Sequence, residues 1–366
     1  MPLIKGGYLM TDLHGTSEFL LDQCTRYPAL RPQDLLKALH QSAFGCGHFL
    51  SDETAGLQFL REEAAAPLPA LTGPAVEPLD GDYCRVHLKM LQDTALRPET
   101  LFRLFALSAA KPSDGGEAAL TERLACLLAL VENEKLPFSP VETAQAVTRW
   151  REAGYPACHH SEEFQRAYAP AYRVVRREYA HLLPLLTEID RLMAEKSRVI
   201  VALEGGSAAG KTTAAAMLEQ IYNCSVFHMD DFFLRPEQRT KARLMEPGGN
   251  VDWERFRDEV LSPLTRGESI LYRRYNCHTQ TIQDPETIVP KALNIVEGAY
   301  SMRPELAPAY DLSAFFSVSP ELQHSRIKKR NTPDLQTKFF VLWIPLENSY
   351  FDVLNIRSRC DLILEA

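Results

Sequence analysis

The chain is poor in the features that would place it in a special class. Its longest apolar runs, such as LACLLALV (Leu124 to Val131), are far shorter than the ~20 residues a membrane helix needs. The first residues lack a basic stretch followed by an apolar one, so no signal peptide is expected. Eight cysteines are scattered with no CxxC pair. In a chain of this size they read as reduced thiols of a cytoplasmic protein, not as a disulfide framework. There is no excess of positive charge: the formal net charge is -8, which argues against general nucleic-acid affinity. Internal repeats and low-complexity tracts are also missing. What remains is 366 residues, 45% hydrophobic and 24% charged, enough for about two globular domains.

Two styles of sequence divide the chain. Residues 1–160 read as a mainly helical domain. SDETAGLQFLREEAA offers Ser51 as a cap, and SPVETAQAVTRWREAG has Ser139 at the cap with Pro140 opening the helix. APLPALTGPAVEPLDGD and KPSDGG break the pattern. DYCRVHLKM reads as a strand with Arg85, His87 and Lys89 on one face. Residues 161–196 read as a helical connector. Its apolar positions from Phe164 to Met193 recur at steps of three and four, with Pro170 and Pro184 as breaks or kinks. From residue 197 strand-like runs alternate with helical segments: VIVALEG, CSVFHMD, SILYRRY, ALNIVEG, AFFSVS and CDLILEA. That alternation predicts an α/β domain over 197–366 with a mostly parallel sheet.

The chemistry concentrates in GGSAAGKTT, Gly205 to Thr213. It fits GxxxxGK[ST], with the strand before and the helix after that the motif requires. Backbone N–H groups of Gly205, Gly206, Ser207, Ala208, Ala209, Gly210, Lys211, Thr212 and Thr213 are placed to surround phosphate. Lys211 is expected to reach the β- and γ-phosphates, and the Thr212 hydroxyl to ligate Mg²⁺. The loop alone predicts ATP or another nucleoside triphosphate with Mg²⁺. No guanine-reading NKxD follows, and NTPD at Asn331 to Asp334 is a poor substitute. Next comes VFHMDDFFLRP, where Asp230 and Asp231 end a strand one strand–helix unit further on. A carboxylate there can take a proton from an attacking hydroxyl or help hold Mg²⁺; equally, it can cap the following turn.

GGSAAGKTT followed by HMDDFF resembles the uridine kinase and phosphoribulokinase superfamily of P-loop kinases, and the DDFF form is similar to nicotinamide riboside kinases. EPGGNVDWERF, ALNIVEGAYSM, SPELQHSRIKKRN and the terminal WIPLENSYFDV extend the resemblance over residues 197–366. It implies Asp230 as catalytic base, Asp252 as a contact to substrate hydroxyls, and Glu297 beside Thr212 and Asp230 at Mg²⁺. It also implies Arg326 and Arg330 as a lid over the phosphates. Tyr275 and His278, in LYRRYNCHTQTIQ, stand where the family reads the base, but the match there is loose. The expected partners are ATP and a small hydroxyl acceptor, with no nucleic acid and no membrane, in a protein that could be a homo-oligomer. A second class stays open: an ATP-driven switch whose helical domain binds a macromolecular partner.

The first 160 residues carry no such resemblance. Cys46 and His48, Cys84 and His87, and Cys158 with His159 and His160 form three local Cys/His groups. They are read mainly as unrelated core thiols and polar histidines, with a metal site or an anion pocket built from Arg85, His87, Lys89 and His160 as alternatives.

Overall fold

VIVALEG is apolar on every second residue and on those between, so it fits only a strand covered on both faces. The computed structural model, which describes residues 15–45, 52–111 and 115–365, bears this out: every residue of that strand is buried. The described residues fall into two compact units, one up to Thr187 and one from Glu188 on. The division lies inside the helix Leu183–Glu195, ahead of the boundary expected near residue 196.

The first unit is mainly helical. The helix Gly116–Glu132 buries Leu120, Leu124, Leu127 and Val131, a spacing of four and three that puts one face inward. Ser139 caps the helix Pro140–Glu152, accepting from the Glu142 N–H, with Pro140 first in the helix. At the helix Glu53–Ala65 the cap is Asp52, accepting from Thr54 and Ala55; Ser51 lies outside the described residues. The unit also holds a three-stranded antiparallel sheet of β1 (Val76–Pro78), β2 (Tyr83–His87) and β3 (Tyr172–Arg176).

Two readings need correction here. The connector expected to be helical contains β3. Its stripe is real on either side, but Ala169 turns left-handed at φ 40° and ends the helix Glu162–Tyr168. Pro170 then disfavours helical backbone before it, and Val174 and Val175 suit a strand. Pro184 sits in the first turn of its helix, where proline is tolerated. The second correction is β2. Lys89 does not share a strand face with Arg85 and His87: the strand ends at His87, and Lys89 already belongs to the helix Lys89–Asp93, while Arg85 is 2% exposed.

The second unit is built on a five-stranded sheet. Its strands are β4 (Val199–Gly205), β5 (Cys224–His228), then, after two short antiparallel pairs (β6 Ile270–Tyr272 with β9 Glu286–Ile288, and β7 Tyr275–Asn276 with β8 Thr281–Ile282), β10 (Leu293–Glu297), β11 (Leu312–Ser317) and β12 (Leu362–Glu365). The order is β12-β11-β4-β10-β5, parallel throughout. SILYRRY therefore supplies a strand of a side ribbon and none of the main sheet. In register, Glu297 of β10 stands beside Leu203 on one side and His228 on the other. The ends of three neighbouring strands thus present the phosphate loop, Glu297 and the Asp230 segment along one edge, where ligands of open α/β sheets bind.

Candidate active site

The loop after β4 must turn sharply while passing close to β11. Gly205 takes φ 141°, and a Cβ there would run into the Phe316 carbonyl oxygen. Gly210, in left-handed conformation, leads into the helix Lys211–Ile221 without a side-chain cap. The first N–H groups of that helix have no acceptor within it, which is what an anion requires. Lys211 is buried and donates to the carbonyls of Gly205 (2.7 Å) and Gly206 (2.9 Å), folding its ammonium over the loop.

Three long-range contacts hold this loop. Glu347, from the helix Ile344–Val353, accepts from the Ser207 N–H at 2.8 Å and from its hydroxyl at 2.5 Å. Gln323 and Arg326, one turn apart on the helix Pro320–Arg330, donate to the carbonyls of Ser207 (2.8 Å) and Ala208 (3.0 Å). Burial raises the Glu347 carboxyl; its bonds to Ser207 and the nearby Lys211 charge oppose that. Arg330 is not brought to the loop: its guanidinium stands over the Phe339 ring, 5.8 Å from the centroid.

A second carboxylate lies beneath the loop. Glu204, wholly buried at the end of β4, accepts from the N–H groups of Gly205, Tyr300 and Met302 and from the hydroxyls of Ser301 and Tyr350. It thereby fixes the turn after β10, where Tyr300 is held at φ 75°, an unfavourable conformation for a bulky residue. Burial pushes the Glu204 carboxyl up to about 7, against the pull of these donors and of Lys211.

The two aspartates after β5 have different surroundings. Asp231 accepts from the Tyr272 hydroxyl at 2.7 Å and pairs with Arg274 at 3.3 Å, so it fastens the segment to the side ribbon. Asp230 opens to solvent after β5, yet the surrounding protein displaces much of its water. This desolvation raises its carboxyl; the Lys211 charge lowers it, and Glu297 and Asp231 raise it further. Glu297 accepts from the Thr212 hydroxyl at 3.2 Å and meets His228 Nδ1 at 2.6 Å through the same oxygen. That bond pulls His228 up despite its burial. The Thr212 hydroxyl, Glu297 and Asp230 thus offer hard oxygen donors at the open side of the phosphate loop, the chemistry Mg²⁺ prefers. Among the described residues no group of three or more His, Cys, Asp or Glu could hold a metal ion by itself.

The remaining expected residues are engaged elsewhere. Asp252 is buried; it caps a short helix through the Arg255 N–H and takes Gln238 at 2.9 Å. Tyr275 is buried with its hydroxyl on Arg239, whereas His278 is exposed at the tip of the β7–β8 ribbon. Glu204, Glu347, Gln323 and His228 were not anticipated. Glu204 and His228 had a signal, a lone charged or polar group in an apolar strand; Glu347 and Gln323 had none. Of the Cys/His groups, Cys46 and His48 lie outside the described residues. Cys84 donates to the Val175 carbonyl, while His87 and His160 pair with carboxylates. No helix of the described residues is long and apolar enough to cross a membrane.

No family model matches the chain. Over 147 residues, 38% of its length, it is 24% identical to a phosphoribulokinase of Synechocystis, and that match spans 42% of the relative. A structure described as a possible uridine kinase from Bacillus stearothermophilus is similar at 21% identity, covering 50% of this chain and 99% of that one, with a TM-score of 0.37. Shikimate kinase from Aquifex aeolicus is similar at 15% identity over 46% and 85% of the two chains, with a TM-score of 0.25. The strand order and the phosphate loop after β4 give the second unit a P-loop kinase fold, and the chain is similar over part of its length to a phosphoribulokinase.

Proposed function

We propose that the second unit transfers a phosphoryl group from ATP to a hydroxyl of a small molecule, with uridine-kinase-like chemistry and a primary hydroxyl of a nucleoside or other ribosyl compound as acceptor. The observation that carries this reading is the pair Asp230 and Lys211. A carboxylate raised by desolvation feels the charge of the phosphate-loop lysine, while its neighbour Asp231 is tied down. An ATP-driven switch has no need of such a base.

Asp230 takes the proton of the acceptor hydroxyl, which frees that oxygen to attack in line. Lys211 leaves its two loop carbonyls and turns its ammonium to the phosphates. Thr212 and Glu297 would hold Mg²⁺, which would supply positive charge to neutralise the phosphates. Arg326, already against the loop, supports the transferring group from above. Asp252, Tyr275 and His278 are proposed for the acceptor side, where Asp252 would exchange Gln238, and Tyr275 would exchange Arg239, for the acceptor. The work of the protein is positioning and electrostatics.

The test is ADP formation over a panel of uridine, cytidine, other nucleosides, nicotinamide riboside, pantothenate and sugar phosphates. Turnover that depends on one acceptor class is expected, and Asp230→Asn should lower it by roughly 10²–10⁴-fold. ATP turnover indifferent to every acceptor and unchanged in Asp230→Asn would sink the base assignment and favour the switch.

A further inference from the structure

The first unit buries a polar cluster that its fold does not require. Asp34, Glu77 and Arg85 are each no more than 2% exposed. Burying ions in this way gives little net stability compared with apolar packing, so the cluster calls for a use. Its centre is Tyr172 on β3. The Tyr172 hydroxyl lies 2.7 Å from His160 Nε2, and His160 Nδ1 lies 2.9 Å from Asp34. Asp34 also accepts from the N–H and hydroxyl of Ser161 and from the Arg31 N–H. Arg85 stands over the Tyr172 ring at 4.8 Å, and His87, paired with Glu77, meets the ring edge-on. Burial holds His160 down at about 4, so its ring is neutral. Nδ1–H then donates to Asp34, and Nε2 accepts the Tyr172 proton. Gln41 donates to the same hydroxyl at 3.3 Å. One lone pair of the Tyr172 oxygen is left.

Tyr172 is also a wall of a cavity of about 460 Å³, the size of a small-ligand site. Two kinds of surface line it. Phe59, Phe102 and Phe105 give flat apolar faces; Arg173 and Lys37, whose ammonium donates to the Cys158 carbonyl at 2.9 Å, give positive charge. Among the described residues Glu63, paired with Arg173 at 2.9 Å, is the single carboxylate of the lining. Arg173 uses one terminal nitrogen on Glu63 and the other on the Tyr172 carbonyl, which leaves guanidinium N–H groups to share. Aromatic faces take a ring. An ammonium and a guanidinium fork lining one cavity can take a phosphate. A fixed hydroxyl acceptor takes an N–H or O–H of the ligand.

We infer that this cavity is a second ligand site, specific for a small phosphate monoester that carries a flat ring, of the nucleoside monophosphate class. Lys37 and Arg173 hold the phosphate, the phenylalanines cover the ring, and Tyr172, positioned by His160 and Asp34, accepts a hydrogen bond from the sugar or base. The site lies wholly within the first unit and does not depend on the kinase reading of the second.

The experiment is hydrogen exchange of the full chain, read segment by segment, with UMP, AMP, uridine and inorganic phosphate as probes. UMP or AMP is expected to slow exchange at least several-fold over residues 32–44 and 170–176. Uridine and phosphate should each do less, and Arg173→Gln should remove the effect. Lys37→Met is the second variant, in case Arg173→Gln disturbs β3; loss of protection in either, with the helix Pro140–Glu152 exchanging as before, supports the site. Protection confined to the second unit, or none at all, overturns the inference whatever the kinase assay shows. Equal protection by inorganic phosphate overturns the requirement for a ring. Protection that survives both variants overturns the phosphate assignment.

Discussion

Glu204 gives the most searching test of the forces at the candidate site, because two effects oppose each other on one carboxyl. Five donors converge on it, three of them backbone N–H groups, and such a set favours the charged form. Complete burial favours the neutral form. Burial prevails, and the carboxyl sits near 7 against an ordinary 4.5. In the folded chain it therefore keeps its proton between 4.5 and about 7, where the unfolded chain has released it. Its contribution to stability is whole below the lower value, declines as pH rises through the interval, and stays at its minimum above it. At 1.36 kcal/mol per pH unit the loss is about 3 kcal/mol. Glu204→Gln cannot ionise. It carries a fixed penalty for the donors its amide nitrogen cannot satisfy, but that penalty has no slope with pH. The wild-type advantage over Glu204→Gln should thus shrink by about 2.5 kcal/mol from about pH 5 to about pH 8. Hydrogen exchange of the β4 and β10 amides is the suitable assay, since a global melt would mix two units. An advantage that stays flat over that range would refute the reasoning: the donors would then outweigh burial, and Glu204 would be ionised throughout.

Three further outcomes follow from the site. Asp230 is raised by desolvation, so the acidic limb of kcat/KM should lie above the ordinary carboxyl range and disappear in Asp230→Asn; a pH–rate profile decides. Gly205→Ala places a methyl group against the Phe316 carbonyl at φ 141°; the strain, about 1–3 kcal/mol, should lower the melting temperature and abolish ATP binding together. Glu347→Ala frees both the N–H and the hydroxyl of Ser207. Loss of that charged tie should weaken ATP binding about tenfold with a smaller change in kcat, and an unaltered KM for ATP would show that the loop holds its shape alone.

How much of this was legible follows from how far apart the partners lie in sequence. The phosphate loop, β4, β5, β10, β11 and β12 were legible because their cues are local: apolar runs of strand length, a glycine turn, a helix start. Glu347 was not, since nothing in WIPLENSYFDV says that its glutamate closes on an N–H 140 residues earlier. Asp230 and Asp231 could not be told apart by spacing; only Tyr272 and Arg274, on a ribbon some forty residues on, make one a fastener and leave the other open to the cleft. Arg330 repeats the lesson in reverse, because four residues put it on the face of Arg326 while Phe339 draws it elsewhere. The first unit shows how little the local pattern says about partners. The cysteines near histidines are read mainly as unrelated core thiols and polar histidines, and His87 and His160 are partnered by Glu77 and Asp34, which no local cue names. A histidine that is deeply buried needs a partner for each ring nitrogen, and a carboxylate satisfies the N–H more strongly than a thiol can. A buried histidine near a strand is therefore better read by asking which distant Asp or Glu the sheet can bring to it than by counting the cysteines beside it.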